Sequence, residues 1–281
     1  MLSSVLPPGE QPSLTRIKAV VFDWAGTLVD FGAMAPLEAL AAVLADHHLP
    51  VSEEELRGPM GLAKGDHLRI LLQREQIAAA WQRRYGRPPT EEDVLRLSQE
   101  LEARMPALVA ARAKPLPGAV AVVERLRSQG IAVAATTGYT RASVQALLPL
   151  ARQAGLTIET VCTPEEVGAG RPAPWMLFEV CRRLQVYPPA TVVKVGDTLQ
   201  DIYEGLHAGV WTVAVVVGSN VLGLSEEAWS RLEEQDRQER IAGAKARFRR
   251  AGAHFVIEHL DELEAVLSVI AGRLTGATYG A

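Results

Sequence analysis

A chain of 281 residues with 48% hydrophobic content has room for one large domain, or a core with a smaller companion, and can bury a sizeable interior. Its 29 basic and 33 acidic residues leave a net charge of −4, so it lacks the cationic excess that holds nucleic acid by counterion release. Two cysteines, Cys162 and Cys181, are too few for a disulfide framework and are expected as reduced thiols, and no run of 18 apolar residues announces a transmembrane helix.

The opening MLSSVLPPGEQPSLTR has no cationic end followed by an apolar stretch. It reads as a flexible leader over residues 1–15 rather than a secretory signal, which makes a reducing cytoplasm the expected location. The first strand is expected in KAVVFD (18–23). From there to about residue 113 no strand pattern occurs, and Ala, Leu, Glu, Gln and Arg, all strong helix formers, dominate. Residues 34–113 are therefore expected to form an inserted helical cap domain, bounded by FGAMAP (31–36) and KPLPG (114–118). Residues 16–33 and 114–281 would form the main α/β domain.

Beyond the insertion, Val122, Val123 and Leu126 mark a helix over 118–129 that Gly130 would cap. Strands follow in IAVAAT (131–136), TVVKVGD (191–197), VWTVAVVVG (210–218) and HFVI (254–257), with a helix expected over 172–184. Most of these runs are apolar on both alternating faces, as in parallel strands covered on both sides. The polar stretch 225–250 reads as a solvated helical excursion. Strands alternating with helices predict a doubly wound, Rossmann-like parallel sheet.

In such sheets ligands bind beyond the carboxyl ends of the strands. Asp23 ends the first strand, Thr136-Thr137-Gly138 the second, and Gly196-Asp197 a later one, with Asp201 four residues on. Gly170-Arg171-Pro172 opens a helix before that strand. Singly, each residue has a plainer explanation: an Asp after a strand is most often a helix N-cap, and a lone Arg is most often a surface charge. Together they suit phosphoryl transfer. One carboxylate attacks phosphorus, a hydroxyl and a cation hold the phosphoryl oxygens, and further carboxylates bind Mg²⁺.

DWAGT, TTG, GRPAPW and GDTLQD resemble the four signature motifs of the haloacid-dehalogenase superfamily. The resemblance implies that Asp23 is the nucleophile and a metal ligand. The Ala25 carbonyl and Asp197 complete the ligand set, with Asp201 acting directly or through water. Thr137, Gly138 and Arg171 would hold the substrate phosphoryl group. Most phosphatases of the superfamily carry a second Asp two residues after the nucleophile, which protonates the departing alkoxide. Here that position is Ala25. Without that acid an alkoxide ester should turn over slowly, since general acid catalysis typically contributes ~10²–10⁴-fold.

In the insertion, Met60, Lys64 and His67 are spaced i, i+4, i+7 and are expected on one helix face, with Leu68, Leu71 and Leu72 facing inward. A lone lysine on a helix is nearly always solvated surface; its weight here comes from the combination with Ala25. FDWAGT, VDFG, PMGLAKGDH, TTGYT, GRPAPWM and VGDT resemble the phosphonoacetaldehyde hydrolase family. That resemblance implies a Schiff base between Lys64 and the substrate aldehyde, followed by carbon–phosphorus cleavage through an aspartyl phosphate in 2-aminoethylphosphonate degradation. It further implies Tyr139 against the substrate and a homodimer; His67, of the residue type that titrates nearest neutral pH, is the candidate proton shuttle, and Met60 is expected to pack on the imine and help exclude water. One departure is Ala33, where the family often has Cys. The competing expectations are a phosphate-ester phosphatase and a haloacid dehalogenase of the same superfamily, and beyond these a non-catalytic binding protein.

Overall fold

The computed structural model describes residues 14–276, so most of the expected leader lies outside the described residues. Six strands form one parallel sheet: β1 (Ala19–Phe22), β2 (Ala132–Thr136), β3 (Thr160–Cys162), β4 (Val192–Gly196), β5 (Trp211–Val215) and β6 (Phe255–Ile257). Their spatial order is β3-β2-β1-β4-β5-β6, all neighbours parallel. The order reverses between β1 and β4, and a crevice for ligands opens at such a switch point. β1 and β4 are buried along their whole length, as sheet strands covered on both faces must be.

Five helices intervene between β1 and β2: α1 (Met34–Asp46), α2 (Glu53–Arg57), α3 (Lys64–Leu72), α4 (Glu75–Tyr85) and α5 (Glu91–Ala111). No strand lies among them, in keeping with the composition of that stretch. Ser52 and Thr90 start α2 and α5 with capping boxes, their side chains accepting from the third helical amide while Glu55 and Asp93 reach back. Leu68, Leu71 and Leu72 are buried as expected, alongside Trp81, Leu97 and Leu101.

The remaining helices are α6 (Ala119–Ser128), α7 (Arg141–Gln153), α8 (Pro164–Val167), α9 (Trp175–Leu184), α10 (Leu199–Ala208), α11 (Glu226–Ser230), α12 (Glu234–Arg250) and α13 (Leu263–Gly276). α9 starts three residues later than expected, because Pro172 and Pro174 hold the chain outside the helix. The short edge strand β3 has no counterpart in the sequence reading. Its three residues are too few, and too mixed in polarity, to give a periodic signal. Cys162 and Cys181 are both free. No helix among the described residues is long and apolar enough to cross a membrane.

The chain leaves for the insertion and returns along adjacent paths. Val29 bridges Pro115, the Leu116 amide donates to the Leu28 carbonyl at 2.8 Å, and that of Asp30 to Lys114 at 3.3 Å.

Candidate active site

Strand register assembles the site. Phe22 pairs with Val195 on one side and Ala135 on the other, and the Asp23 amide donates to the Val195 carbonyl at 2.8 Å. Asp23 therefore emerges beside Thr136 and Gly196, with Asp197 next along β4. Asp201 enters from the first turn of α10. Its Oδ2 caps that helix, accepting from the Thr198 amide at 3.1 Å and the Thr198 hydroxyl at 2.5 Å. Gly196 permits this approach, since a Cβ there would stand 2.3 Å from the Asp201 side chain. At Gly26, φ is +82° and a Cβ would lie 2.2 Å from Asp197 Oδ2, so only glycine fits the turn after the nucleophile.

One oxygen from each of Asp23, Asp197 and Asp201 can be chosen so that all lie within 4.8 Å of one another, and all three residues are buried. Three carboxylates in so small a volume repel. Burial first, and then Asp201, push Asp23 up to about 6 against the pull of Arg171 and Lys194. Burial and the charges of Asp23 and Asp201 push Asp197 well above the usual carboxylate range. Burial also works to raise Asp201, but Arg171 and Lys194 outweigh it and hold that carboxylate below its usual range. The donor set is all oxygen, with neither imidazole nor thiolate, and Asp201 Oδ1 has no aligned hydrogen-bond donor. These residues fit a hard cation, which would relieve the repulsion.

A layer of opposite charge lies beside them. An Arg171 terminal nitrogen sits 2.7 Å from Asp23 Oδ1 and 3.1 Å from Asp201 Oδ1, and its Nε donates to Glu204 Oε2 at 2.8 Å. Arg171 is therefore the reverse of the surface charge a lone arginine suggests: 2% of it is exposed. Lys194, on β4 and fully buried, donates to the Thr136 hydroxyl at 2.7 Å and lies 3.1 Å from Asp201 and 3.3 Å from Glu204. Thr136 donates in turn to Glu204 Oε2 at 3.0 Å. Lys194, Thr136 and Glu204 thus join the site without having been assigned to it from sequence. The one signal was a lysine inside the otherwise apolar strand VVKVG. Asp197 itself is oriented by Thr27, whose hydroxyl donates to Oδ1 at 3.2 Å, and by the Asn220 amide, which donates to Oδ2 at 2.7 Å.

Over these groups lies a small cavity. It brings together Asp23, Ala25, Thr137, Gly138, Tyr139 and Arg171 from the sheet ends with Met60 and Lys64 from the insertion. Ala33, Pro36, Gly61 and Thr198 complete its wall. Asp197 and Asp201 stand behind it. The insertion touches the sheet ends closely: a Cβ on Gly138 would meet the Leu62 carbonyl at 2.5 Å, and one on Gly61 the Thr198 hydroxyl at 2.5 Å.

Two expectations about α3 need correction. The helix begins at Lys64, so Met60 is not on its face; Met60 reaches the cavity from the turn that precedes it, where Gly61 takes φ +94°. His67 does not line the cavity. Its ring is fully buried, and Nε2 donates to the Leu56 carbonyl at 2.9 Å. Nδ1 has no partner, and burial, helped by the Lys64 charge, pushes the imidazole down to about 3. Lys64 is 6% exposed, with its ammonium 5.5 Å from the Tyr139 ring centre. Burial lowers it to about 8; Asp23 opposes the shift and Arg171 assists it. Its position at the first residue of a helix acts in the same direction, because the positive end of the helix dipole disfavours a cation. Burial also pushes the Tyr139 phenol well above its usual range, so it stays neutral.

A haloacid dehalogenase-like hydrolase family model matches residues 17–209. The phosphonoacetaldehyde hydrolase of Bacillus cytotoxicus is 42% identical over 255 residues, covering 91% of this chain and 97% of that protein. A bifunctional phosphonoacetaldehyde hydrolase/aminoethylphosphonate transaminase of Clostridioides difficile is 40% identical over 90% of this chain and 40% of its own length. The crystal structure of a phosphonoacetaldehyde hydrolase-like protein from Oleispira antarctica superposes with a TM-score of 0.91 at 35% identity, covering 97% of this chain and 99% of that one. By fold, by site and by these likenesses, the chain belongs to the haloacid dehalogenase-like hydrolases and, among them, to the phosphonoacetaldehyde hydrolase family.

Proposed function

We propose that this hydrolase cleaves the carbon–phosphorus bond of phosphonoacetaldehyde to give acetaldehyde and orthophosphate, with Asp23 attacking phosphorus and Lys64 condensing with the aldehyde. The observation that carries this reading is a buried, down-shifted amine sharing one small cavity with a buried carboxylate. Ala25, where superfamily phosphatases keep their acid, points the same way. Heterolysis of a carbon–phosphorus bond leaves a carbanion, which needs an electron sink rather than a proton donor on oxygen. Condensation of neutral Lys64 Nζ with the aldehyde takes up a proton, expels water and leaves an iminium, and that proton returns to solvent when the iminium is finally hydrolysed. Asp23 then attacks phosphorus, the carbon–phosphorus bond breaks, and its electron pair moves into the iminium to give a neutral enamine on Lys64. One water hydrolyses the aspartyl phosphate. Protonation of the enamine carbon and a second water release acetaldehyde and restore the amine.

Thr137, Gly138 and Arg171 hold the phosphoryl group. Met60 and Tyr139 wall the imine from bulk water. His67 is read as the proton shuttle behind Lys64, although an imidazole pushed down to about 3 is a weak base at neutral pH and would carry a proton only transiently. Asp23, Asp197, Asp201 and the Ala25 carbonyl would hold Mg²⁺, which offsets the charge between carboxylate and phosphoryl oxygens when bound. The same reading takes 34–113 as a cap domain that swings on 16–33 and 114–281, and the protein as a cytoplasmic homodimer. A place in 2-aminoethylphosphonate degradation is supported by the C. difficile relative, whose name joins a hydrolase to a transaminase for that amine.

The test is an assay of purified protein with phosphonoacetaldehyde, reading acetaldehyde and phosphate together. Borohydride added with substrate should trap a secondary amine on Lys64 by peptide mass spectrometry, and borohydride alone should leave the enzyme active. EDTA should abolish turnover and Mg²⁺ restore it. A trapped adduct on Lys114 or Lys194, or full turnover in EDTA, would overturn the mechanism.

A further inference from the structure

Arg57 ends α2 in the insertion, and its side chain is only 10% exposed. Its guanidinium donates to the Gly32 carbonyl at 2.7 Å, on the crossing that leads into the insertion, and to Asn220 Oδ1 at 3.2 Å, in the loop after β5. Asn220 returns the contact: its Nδ2 donates to the Arg57 carbonyl at 3.1 Å. Residues 57 and 220 thus grip each other through two reciprocal hydrogen bonds, one of them charge-assisted. Asn220 is itself buried, and its backbone amide donates to Asp197 Oδ2 at 2.7 Å. Gly32 donates from its own amide to the Gly218 carbonyl at 2.7 Å, so the same loop is held at both ends by the insertion's root.

We propose that Arg57 and Asn220 are positioning residues that couple closure of the insertion over the sheet ends to the shape of the cation site, through the Asn220 amide on Asp197. Neither side chain lines the cavity, so neither touches substrate. The insertion grips the residue whose amide fixes the rotamer of Asp197. When the clasp is made, the loop after β5 is pinned and Asp197 is preorganised; when it is broken, that loop has lost its anchor to the insertion. Linkage is reciprocal, so a cation held by Asp197 also favours the clasped state. The inference rests on the reading that Asp197 is a cation ligand.

The experiment is calorimetric titration of Mg²⁺ into the full-length protein without substrate. The variants are Arg57→Met, which keeps the packed stem, Asn220→Ala, which keeps the backbone amide, and the double variant. Each single change is expected to weaken Mg²⁺ binding about five- to tenfold, and the double variant no further, since both break one coupled unit. In turnover the loss should disappear at saturating Mg²⁺, leaving kcat near wild type. A clasp that merely stabilises the fold would lower Tm without moving Mg²⁺ affinity. Single variants within twofold of wild type, or losses that multiply in the double, would overturn the proposal. If Arg57→Met does not fold, Arg57→Lys, which reaches one acceptor only, should shift affinity in the same direction by less. Asp197→Asn separates the two ideas. Loss of binding there with unchanged Arg57→Met defeats the clasp alone; undiminished binding in Asp197→Asn defeats the ligand reading and the clasp together.

Discussion

The charged groups at the sheet ends and Lys64, which the insertion brings to them, are held by different physics. At the sheet ends Asp23, Asp201, Glu204, Arg171 and Lys194 hold one another, through buried contacts of 2.7–3.3 Å between opposite charges. In the insertion Lys64 has no carboxylate partner among the ion pairs, and burial is the largest influence on its state, opposed by Asp23 and assisted by Arg171. The first arrangement keeps charges ionised in a low-dielectric setting, at the risk of stranding one if a partner is lost. The second discharges a group that would otherwise be a cation. A nucleophilic carboxylate needs the first and a nucleophilic amine the second.

The largest expected effect comes from breaking the sheet-end side. Asp23→Asn should cost on the order of 10⁴ in kcat or more, because an amide is no nucleophile toward phosphorus. Retention of a tenth of wild-type activity would refute its role. Lys64→Arg should lose a similar amount while keeping the charge, since a guanidinium stays protonated and cannot condense with an aldehyde; steady-state assay and the absence of borohydride trapping read this. Gly138→Ala attacks the junction between the two regions. Its Cβ must push the Leu62 carbonyl away, and a displacement of about 1 Å can cost up to roughly 10²-fold. That loss should appear in kcat/KM with an unchanged circular dichroism spectrum.

The smallest effects titrate Lys64. The proposed mechanism needs the neutral amine, so kcat/KM should rise about tenfold per pH unit between 6, where Asp23 ionises, and 8, and level off above it. The stability consequence has a definite sign. Lys64 sits near 8 in the folded chain and 10.5 in the unfolded one, so between those values the unfolded state binds more protons and stability rises with pH. Lys64→Met should therefore be the more stable protein at pH 7, by about 3 kcal/mol at most. The gain should shrink as pH climbs from 8 to 10.5. A denaturant melt at three pH values checks it.

Most of the site was legible in the sequence, because each sheet-end residue sits at the boundary of an apolar run that reads as a buried strand. That pattern puts Asp23, Thr137 and Asp197 at the sheet ends, while their roles and that of Arg171 come from the combination and from the resemblance to the superfamily's motifs. What failed did so for local reasons. Met60 was read onto the helix from its spacing to Lys64, but Gly61 breaks that helix with a left-handed φ. His67 has the spacing of a cavity residue and the surroundings of a core one. Lys194 hid in its strand, and Glu204 in an ordinary helix, because a buried ion pair formed across 10 residues of chain leaves no periodic trace. Asn220 acts through its backbone, which no residue type announces.

The paired crossings between sheet and insertion have a kinetic consequence. Because Val29 bridges Pro115 and the amides of Asp30 and Leu116 each donate across to the other crossing, the two covalent connections between sheet and insertion run side by side and restrain each other. An insertion that swings as proposed would, with its crossings so restrained, lose little orientational freedom when it comes down. On the proposed mechanism, Lys64 is then a reactant delivered on a short leash to whatever the sheet ends hold. Its effective molarity toward the aldehyde is set by the stiffness of those two crossings and not by diffusion. Loosening them, with Gly–Ser insertions at residues 31 and 115, would dilute the amine without changing a single atom of the site.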